Sequence, residues 1–157
     1  MTKPTARKRG RRPALLPLRL EVLDRGRPRT PPALLRAAVR ATFAQVGHRG
    51  LPVSLLLTDD AGIAALHARH LDDPTPTDVM SFAIDDGAEI VVSVTTAARV
   101  ARARGHDCAA EVVLYVVHGL LHVLGHDDTT KPARARMRAA ERAVLQRLRL
   151  VVSPVDA

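Results

Sequence analysis

The run His118-Gly119-Leu120-Leu121-His122-Val123-Leu124-Gly125-His126-Asp127-Asp128 decides how this chain is read. Val112, Val113, Leu114, Val116 and Val117 precede it, so two histidines interrupt an otherwise apolar helical stretch. Residues four apart on an α-helix share a face one turn apart, and His118 and His122 can therefore aim both imidazoles at one point. Neutral imidazole is the commonest zinc ligand. A lone histidine on an apolar face is usually a satisfied core residue. A pair at this spacing, followed by a glycine and three polar residues, reads instead as a metal motif. Gly125 stands where the helix should stop, because glycine enters the left-handed conformation at little cost. Two residues then compete for the third ligand. A helix running past Gly125 would carry His126 on the face of His122, whereas a helix ending there favours Asp128, its carboxylate swung back to the ion. Three protein ligands and an open position mark a catalytic zinc, one per chain. Asp127 then falls beside the ligands. His126 is left as a candidate proton shuttle, since its ordinary pKa lies near neutrality.

Outward from this helix, which should span about Asp107 to Leu124, the pattern alternates between sheet and helix. Leu16, Leu18, Leu20 and Val22 alternate with Pro17, Arg19 and Glu21, the period of a half-buried strand. Thr30-Pro31-Pro32 opens a helix whose apolar stripe ends at Gly47. Val53 to Leu57 is a second strand, and Asp59 or Asp60 caps a short helix through His70. Asp72 to Thr77, with two prolines, is a loop. Thr77 to Asp85 and Glu89 to Val94 form a hairpin at Asp85-Asp86-Gly87, and Thr95 to Arg104 is a helix stopped by Gly105. Pro132 opens the last helix, with Met137, Ala140, Val144 and Leu148 on its buried side and Arg134, Arg138 and Arg142 on another. Those arginines suit a solvated face or an RNA-facing one. The expected fold is α+β, a single domain over residues 15–150. A mixed sheet of about four strands carries packed helices, with the metal site on a central helix.

The metal run resembles two zinc families. Metzincin peptidases carry H-E-x-x-H-x-x-G-x-x-H, with the glutamate as general base, but Gly119 occupies that place here. The run is more similar to the YbeY family of single-strand-specific endoribonucleases, which mature ribosomal RNA and share H-G-x-L-H-x-x-G-x-D-H. His118, Gly119, Leu121, His122, Gly125 and Asp127 fit that pattern, and the third histidine falls on Asp128. Upstream, Pro76-Thr77-Asp78-Val79-Met80-Ser81-Phe82 resembles P-T-D-V-L-S-F, and Ala88-Glu89-Ile90-Val91-Val92-Ser93 resembles G-D-I-x-I-S. Gly105-His106 and Glu111 resemble the G-H-x-x-x-x-E lead into the helix. The resemblance covers roughly residues 18 to 150. It implies a zinc-dependent endoribonuclease acting on single-stranded RNA in rRNA processing. The family's arginine before the threonine–aspartate pair has Leu71 at its place, and Arg69 two residues earlier is the expected charge donor. Asp78 is expected to orient a ligand histidine as a hydrogen-bond acceptor.

Charge distribution adds a second expectation. The net charge is +8, yet Lys3, Arg7, Lys8, Arg9, Arg11 and Arg12 supply +6 within the first twelve residues, where no acid occurs. The rest carries 18 basic and 16 acidic residues and is close to neutral. Residues 1–14 therefore read as a basic disordered tail, suited to sequence-independent phosphate contact with RNA, and 151–157 as a C-terminal tail. Phe43, Phe82 and Tyr115 are the only aromatics besides histidine, too few for a base-stacking platform. The single cysteine, Cys108, excludes an internal disulfide and suits a cytoplasmic protein. No membrane association is expected, since Val112 to Leu124 is too short to span a bilayer. A metalloprotease, disfavoured by Gly119, and a non-catalytic ribosome-associated RNA-binding factor are the rival readings.

Overall fold

A computed structural model of the chain describes residues 14–71 and 77–152. Among these described residues nine elements follow one another: β1 (Leu20–Asp24), α1 (Pro32–Val46), β2 (Val53–Thr58), α2 (Asp60–Leu71), β3 (Val79–Ile84), β4 (Gly87–Ser93), α3 (Val94–Arg104), α4 (Cys108–Val123) and α5 (Lys131–Arg147). The sheet is mixed and four-stranded, in the order β1-β2-β4-β3, with β1, β2 and β4 parallel and β3 antiparallel to β4. The α+β expectation holds.

The hairpin sets the register. β3 and β4 are joined by Asp85 and Asp86 alone, so Ile84 pairs with Gly87, and Asp85 takes a positive φ of 32°. A two-residue hairpin loop needs such a backbone, and aspartate tolerates it. β4 therefore starts two residues before the expected Glu89. At Gly87 a Cβ would sit 2.8 Å from the Pro52 carbonyl, where β4 begins its pairing with β2, so that position has no room for a side chain.

β4 lies between two strands and is covered on both faces, which accounts for its unbroken run Ile90-Val91-Val92. On one face Val91 packs with Met80 and Ile63 of α2. On the other, Ile90 and Val92 meet Leu35 and Val39 of α1, Ala97 of α3, and Val112, Val116 and Leu120 of α4. A second core joins Val113, Val117 and Leu121 of α4 to Ala38 of α1 and to Met137, Val144 and Leu145 of α5. Helix α4 thus has a core on either side, as its apolar sequence requires. Gly119 lies at its closest approach to the sheet: a Cβ there would meet Ile90 Cγ2 at 3.1 Å and Val79 Cγ2 at 3.2 Å.

Helix boundaries follow local chemistry. Gly47 and Gly105 end α1 and α3 in the left-handed conformation. Asp59 Oδ1 accepts the Gly62 N–H and so caps α2. Asp60 instead reaches across to α3, accepting the Ser93 and Thr96 hydroxyls at 2.6 Å each and pairing with Arg99 at 3.2 Å. Ser93 ends β4 and caps α3, so that helix begins one residue before the expected Thr95.

One expectation fails in register. The alternation from Leu16 to Val22 does not coincide with β1, which begins at Leu20. Leu18 and Leu20 do pack on the core, but Leu16 and Val22 are exposed. As an edge strand β1 is paired on one side only, so side-chain alternation along it translates poorly into burial. No helix among the described residues is long and apolar enough to cross a membrane.

Candidate metal centre

The end of α4 positions the site. Gly125 has φ 98°, its N–H donates to the His122 carbonyl, and the His126 N–H donates to the Leu121 carbonyl at 2.9 Å. This is the Schellman stop, which breaks the helix one residue after Leu124. Asp127 then folds the chain back: its carboxylate accepts the Thr129 N–H at 2.6 Å and the Thr129 hydroxyl at 2.9 Å. Those bonds hold its pKa below the ordinary carboxylate value. Thr130 caps α5 through the Ala133 N–H. Asp128, between these two turns, is carried back toward α4.

The result brings three side chains together. His118 Nε2 and His122 Nε2 lie 3.0 Å apart, and Asp128 Oδ2 lies 3.9 Å from the first and 3.6 Å from the second. A tetrahedral ion about 2.0–2.1 Å from each ligand would hold them roughly 3.3 Å apart, so the three atoms sit close to a coordination shell. His118, His122 and Asp128 could therefore bind a metal ion. Both rings are already oriented for it. His118 Nδ1 donates to Glu141 Oε1 at 2.6 Å and His122 Nδ1 to the His126 carbonyl at 3.1 Å, leaving each Nε2 free to face the ion. Burial works against a charged His118, but the hydrogen bond and charge of Glu141, with Asp128 and Asp78 adding to them, raise its pKa above the ordinary value.

The site opens into a cleft of about 320 Å³ between α3, α4 and α5. Asp78 lines it, with its carboxylate accepting the Val79 N–H at 2.8 Å. Beneath the cleft, buried Glu111 meets His106 Nε2 at 2.5 Å and accepts the Tyr115 hydroxyl. Burial, reinforced by the Glu111 charge, pushes the Tyr115 pKa far up, so it stays a neutral phenol. The same two causes raise the Cys108 thiol.

Other expected residues are placed differently. His126 neither joins the His118–His122–Asp128 cluster nor lines its cleft; it lies beside Gln45, Val46 and Arg136, and its backbone carbonyl accepts from His122 Nδ1. Arg69 is exposed on the last turn of α2 and does not line the cleft. Arg104, Arg134 and Arg138 do. The hydrogen-bond acceptor for His118 is Glu141, which the sequence reading passed over. A signal for it existed: Glu141 is the sole acid in α5 and falls four residues after buried Met137, on the apolar side. The basic residues Lys3 to Arg12 lie outside the described residues, as does most of the loop before Asp78.

A mixed α+β domain whose central helix carries two imidazoles beside a carboxylate, with His118 and Asp128 lining a cleft, has the donor set of proteins that could bind a metal ion. The sequence model of the family described as Endoribonuclease YbeY matches residues 31–149, and the chain belongs to that family. A relative named Endoribonuclease YbeY from Heliobacterium modesticaldum is 34% identical over 133 residues, covering 72% of this chain and 80% of its own. Another of that name, from Moorella thermoacetica, is 36% identical over 128 residues, covering 71% of this chain and 82% of its own. The fold is similar to the solution structure of TM1509 from Thermotoga maritima, with a TM-score of 0.59 and 22% identity over 83% of this chain and 91% of that one.

Proposed function

We propose that this chain is a zinc-dependent, single-strand-specific endoribonuclease acting in ribosomal RNA processing, with one zinc held by His118, His122 and Asp128. The observation that carries the reading is the convergence of two pre-oriented Nε2 atoms and one carboxylate beside a cleft that His118 and Asp128 line, in a chain of the YbeY family. Zinc would supply a hydroxide near neutral pH and a Lewis acid for a phosphoryl oxygen. The protein's own part is to position. Glu141 and the His126 carbonyl fix the two rings, Asp127 holds the turn that presents Asp128, and Asp78 adds negative charge at the cleft wall. Lys3, Arg7, Lys8, Arg9, Arg11 and Arg12 would add sequence-independent contacts to RNA phosphates. The cytoplasm, where ribosomal particles assemble, is the location this function requires.

A peptidase reading has no support in the geometry. Gly119 stands at the place of that motif's general base, and a Cβ there would lie 3.1 Å from Ile90 Cγ2 and 3.2 Å from Val79 Cγ2, so a side chain fits only if those neighbours give way.

The test pairs metal analysis with cleavage. Purified protein should carry one zinc per chain, cut single-stranded RNA and leave casein intact. His118→Ala and His122→Ala should each lose both the zinc and the cleavage. Full zinc occupancy in both variants would remove the metal assignment, and RNA cleavage that survives loss of zinc would remove the proposed reaction.

A further inference from the structure

Helix α5 is basic along its length: Lys131, Arg134, Arg136, Arg138, Arg142 and Arg147 face a single acid, Glu141. Its arginines are not equivalent. Arg134 and Arg138 are four residues apart, share a helix face and line the metal cleft, whereas Arg142 and Arg147 do not. Arg134 is partly engaged, since its Nη1 donates to the Asp128 carbonyl at 3.2 Å. Arg138 is exposed, and among the described residues no hydrogen bond or ion pair holds its guanidinium. Arg104 of α3 lines the facing wall.

The acids of the same cleft are already occupied. Glu111 is bonded to His106 and Tyr115, Glu141 to His118, and Asp128 belongs to the metal triad. Only Asp78 presents a carboxylate that no side-chain cation holds among the described residues. An entering anion therefore meets unpaired positive charge on the α5 side.

From this we infer that Arg138 binds the phosphodiester at the metal centre, taking the part that Arg69 was expected to play, with Arg134 beside it holding the Asp128 turn. The inference rests on the endoribonuclease reading and names the side chain that receives its substrate. A phosphodiester spreads one negative charge over two non-bridging oxygens. A planar guanidinium can engage such oxygens through two parallel N–H donors, which an ammonium cannot. An ion held by the triad would take one oxygen, and Arg138, which lines the same cleft as His118 and Asp128, would offer donors to the other. Because α5 also carries Glu141, one rigid helix both orients a metal ligand and grips the substrate.

The experiment uses the full-length zinc-loaded protein with a single-stranded oligoribonucleotide for cleavage and its 2′-O-methyl analogue for binding. Arg138→Ala should keep one zinc per chain and an unchanged thermal midpoint. It should lose about ten- to a hundredfold in kcat/KM, the usual worth of a charge-assisted hydrogen bond. The salt slope for analogue binding should fall by about 0.7, one phosphate contact to a single strand. Arg138→Lys should recover binding more fully than cleavage, since it restores charge but not the fork. Arg147→Ala, outside the cleft, should match wild type. If wild type cleaves RNA and His122→Ala does not, yet Arg138→Ala cleaves and binds like wild type, the inference is overturned while the function stands. If wild type fails to cleave RNA, or His122→Ala cleaves equally well, the endoribonuclease reading itself is what fails.

Discussion

Glu141 does for His118 what the His126 carbonyl does for His122, but with a full charge and from another helix. Removing such a partner typically weakens metal binding by about ten- to a hundredfold. Glu141→Gln should do so with little change in fold, measured by zinc competition against a chelator. Asp128 and His126 separate just as cleanly. Asp128→Ala should lose zinc affinity about tenfold or more, Asp128→His should keep it, and His126→Ala should leave metal content unchanged because only the backbone of that residue serves the site. Zinc lost in His126→Ala and kept in Asp128→Ala would reverse the ligand assignment. The approach of His118 to His122 was legible in the sequence because it depends on helical spacing alone, and that of Asp128 because Gly125 announces a stop. Glu141 was not, since its role depends on how α5 docks against α4, a tertiary fact that no local period encodes. The placement of the His126 ring was hidden for a related reason: the direction of the chain beyond a helix stop is set by the turn, not by the count of residues.

At the scale of elements, two glycines and one aspartate join the site to the fold. Gly119 lets α4 lie against β3 and β4, and Gly119→Val should destabilise the protein by about 1–3 kcal/mol, read from a denaturant midpoint. Gly125 holds a left-handed backbone, and Gly125→Ala should cost about 1–2 kcal/mol while loosening the turn that presents Asp128. A midpoint unmoved by either change would mean that the packing or the turn is less constrained than it stands. Asp60 ties α2 to α3. Hydrogen bonds from Ser93 and Thr96, with Arg99 beside them, hold its pKa below the ordinary 3.8 against a smaller opposing effect of burial. A carboxyl lowered on folding adds stability that is present above its unfolded value of about 3.9 and is lost as pH falls through its folded value. Asp60→Asn should therefore be less stable than wild type at neutral pH, and the gap should close below about pH 4 in urea titrations. The hairpin and the helix stops were readable because each is signed by residues suited to a left-handed turn. The start of β1 was not, because an edge strand's limits are set by its partner rather than by its own alternation.

For the molecule as a whole, the scarcity of aromatics holds in three dimensions: Phe43 and Tyr115 are buried, and Phe82 packs against the small core under α2. RNA contact must then rest on charge and on the shape of the cleft. Deleting residues 1–12 should leave folding and zinc content intact and flatten the salt dependence of RNA binding between about 50 and 200 mM. The slope should drop by as much as about 4 if all six basic side chains of that segment reach phosphates. Identical slopes with and without the segment would leave binding to the folded body alone.

The metal triad and Glu141 have one more consequence, for motion. His118 and His122 belong to α4, Asp128 to the connection, and Glu141 to α5, so an ion at the triad would clasp the last helix to the rest of the domain. For α5 to swing away, Glu141 must release His118 and the Asp128 turn must open, and both would disturb an ion held there. Zinc at a hundred times its dissociation constant would then add about 2.7 kcal/mol to the opening of α5, slowing amide hydrogen exchange there about a hundredfold. Strands β1 and β2, which contribute no residue to the triad, should change far less. Chelation would turn the last helix from a fixed wall into a door.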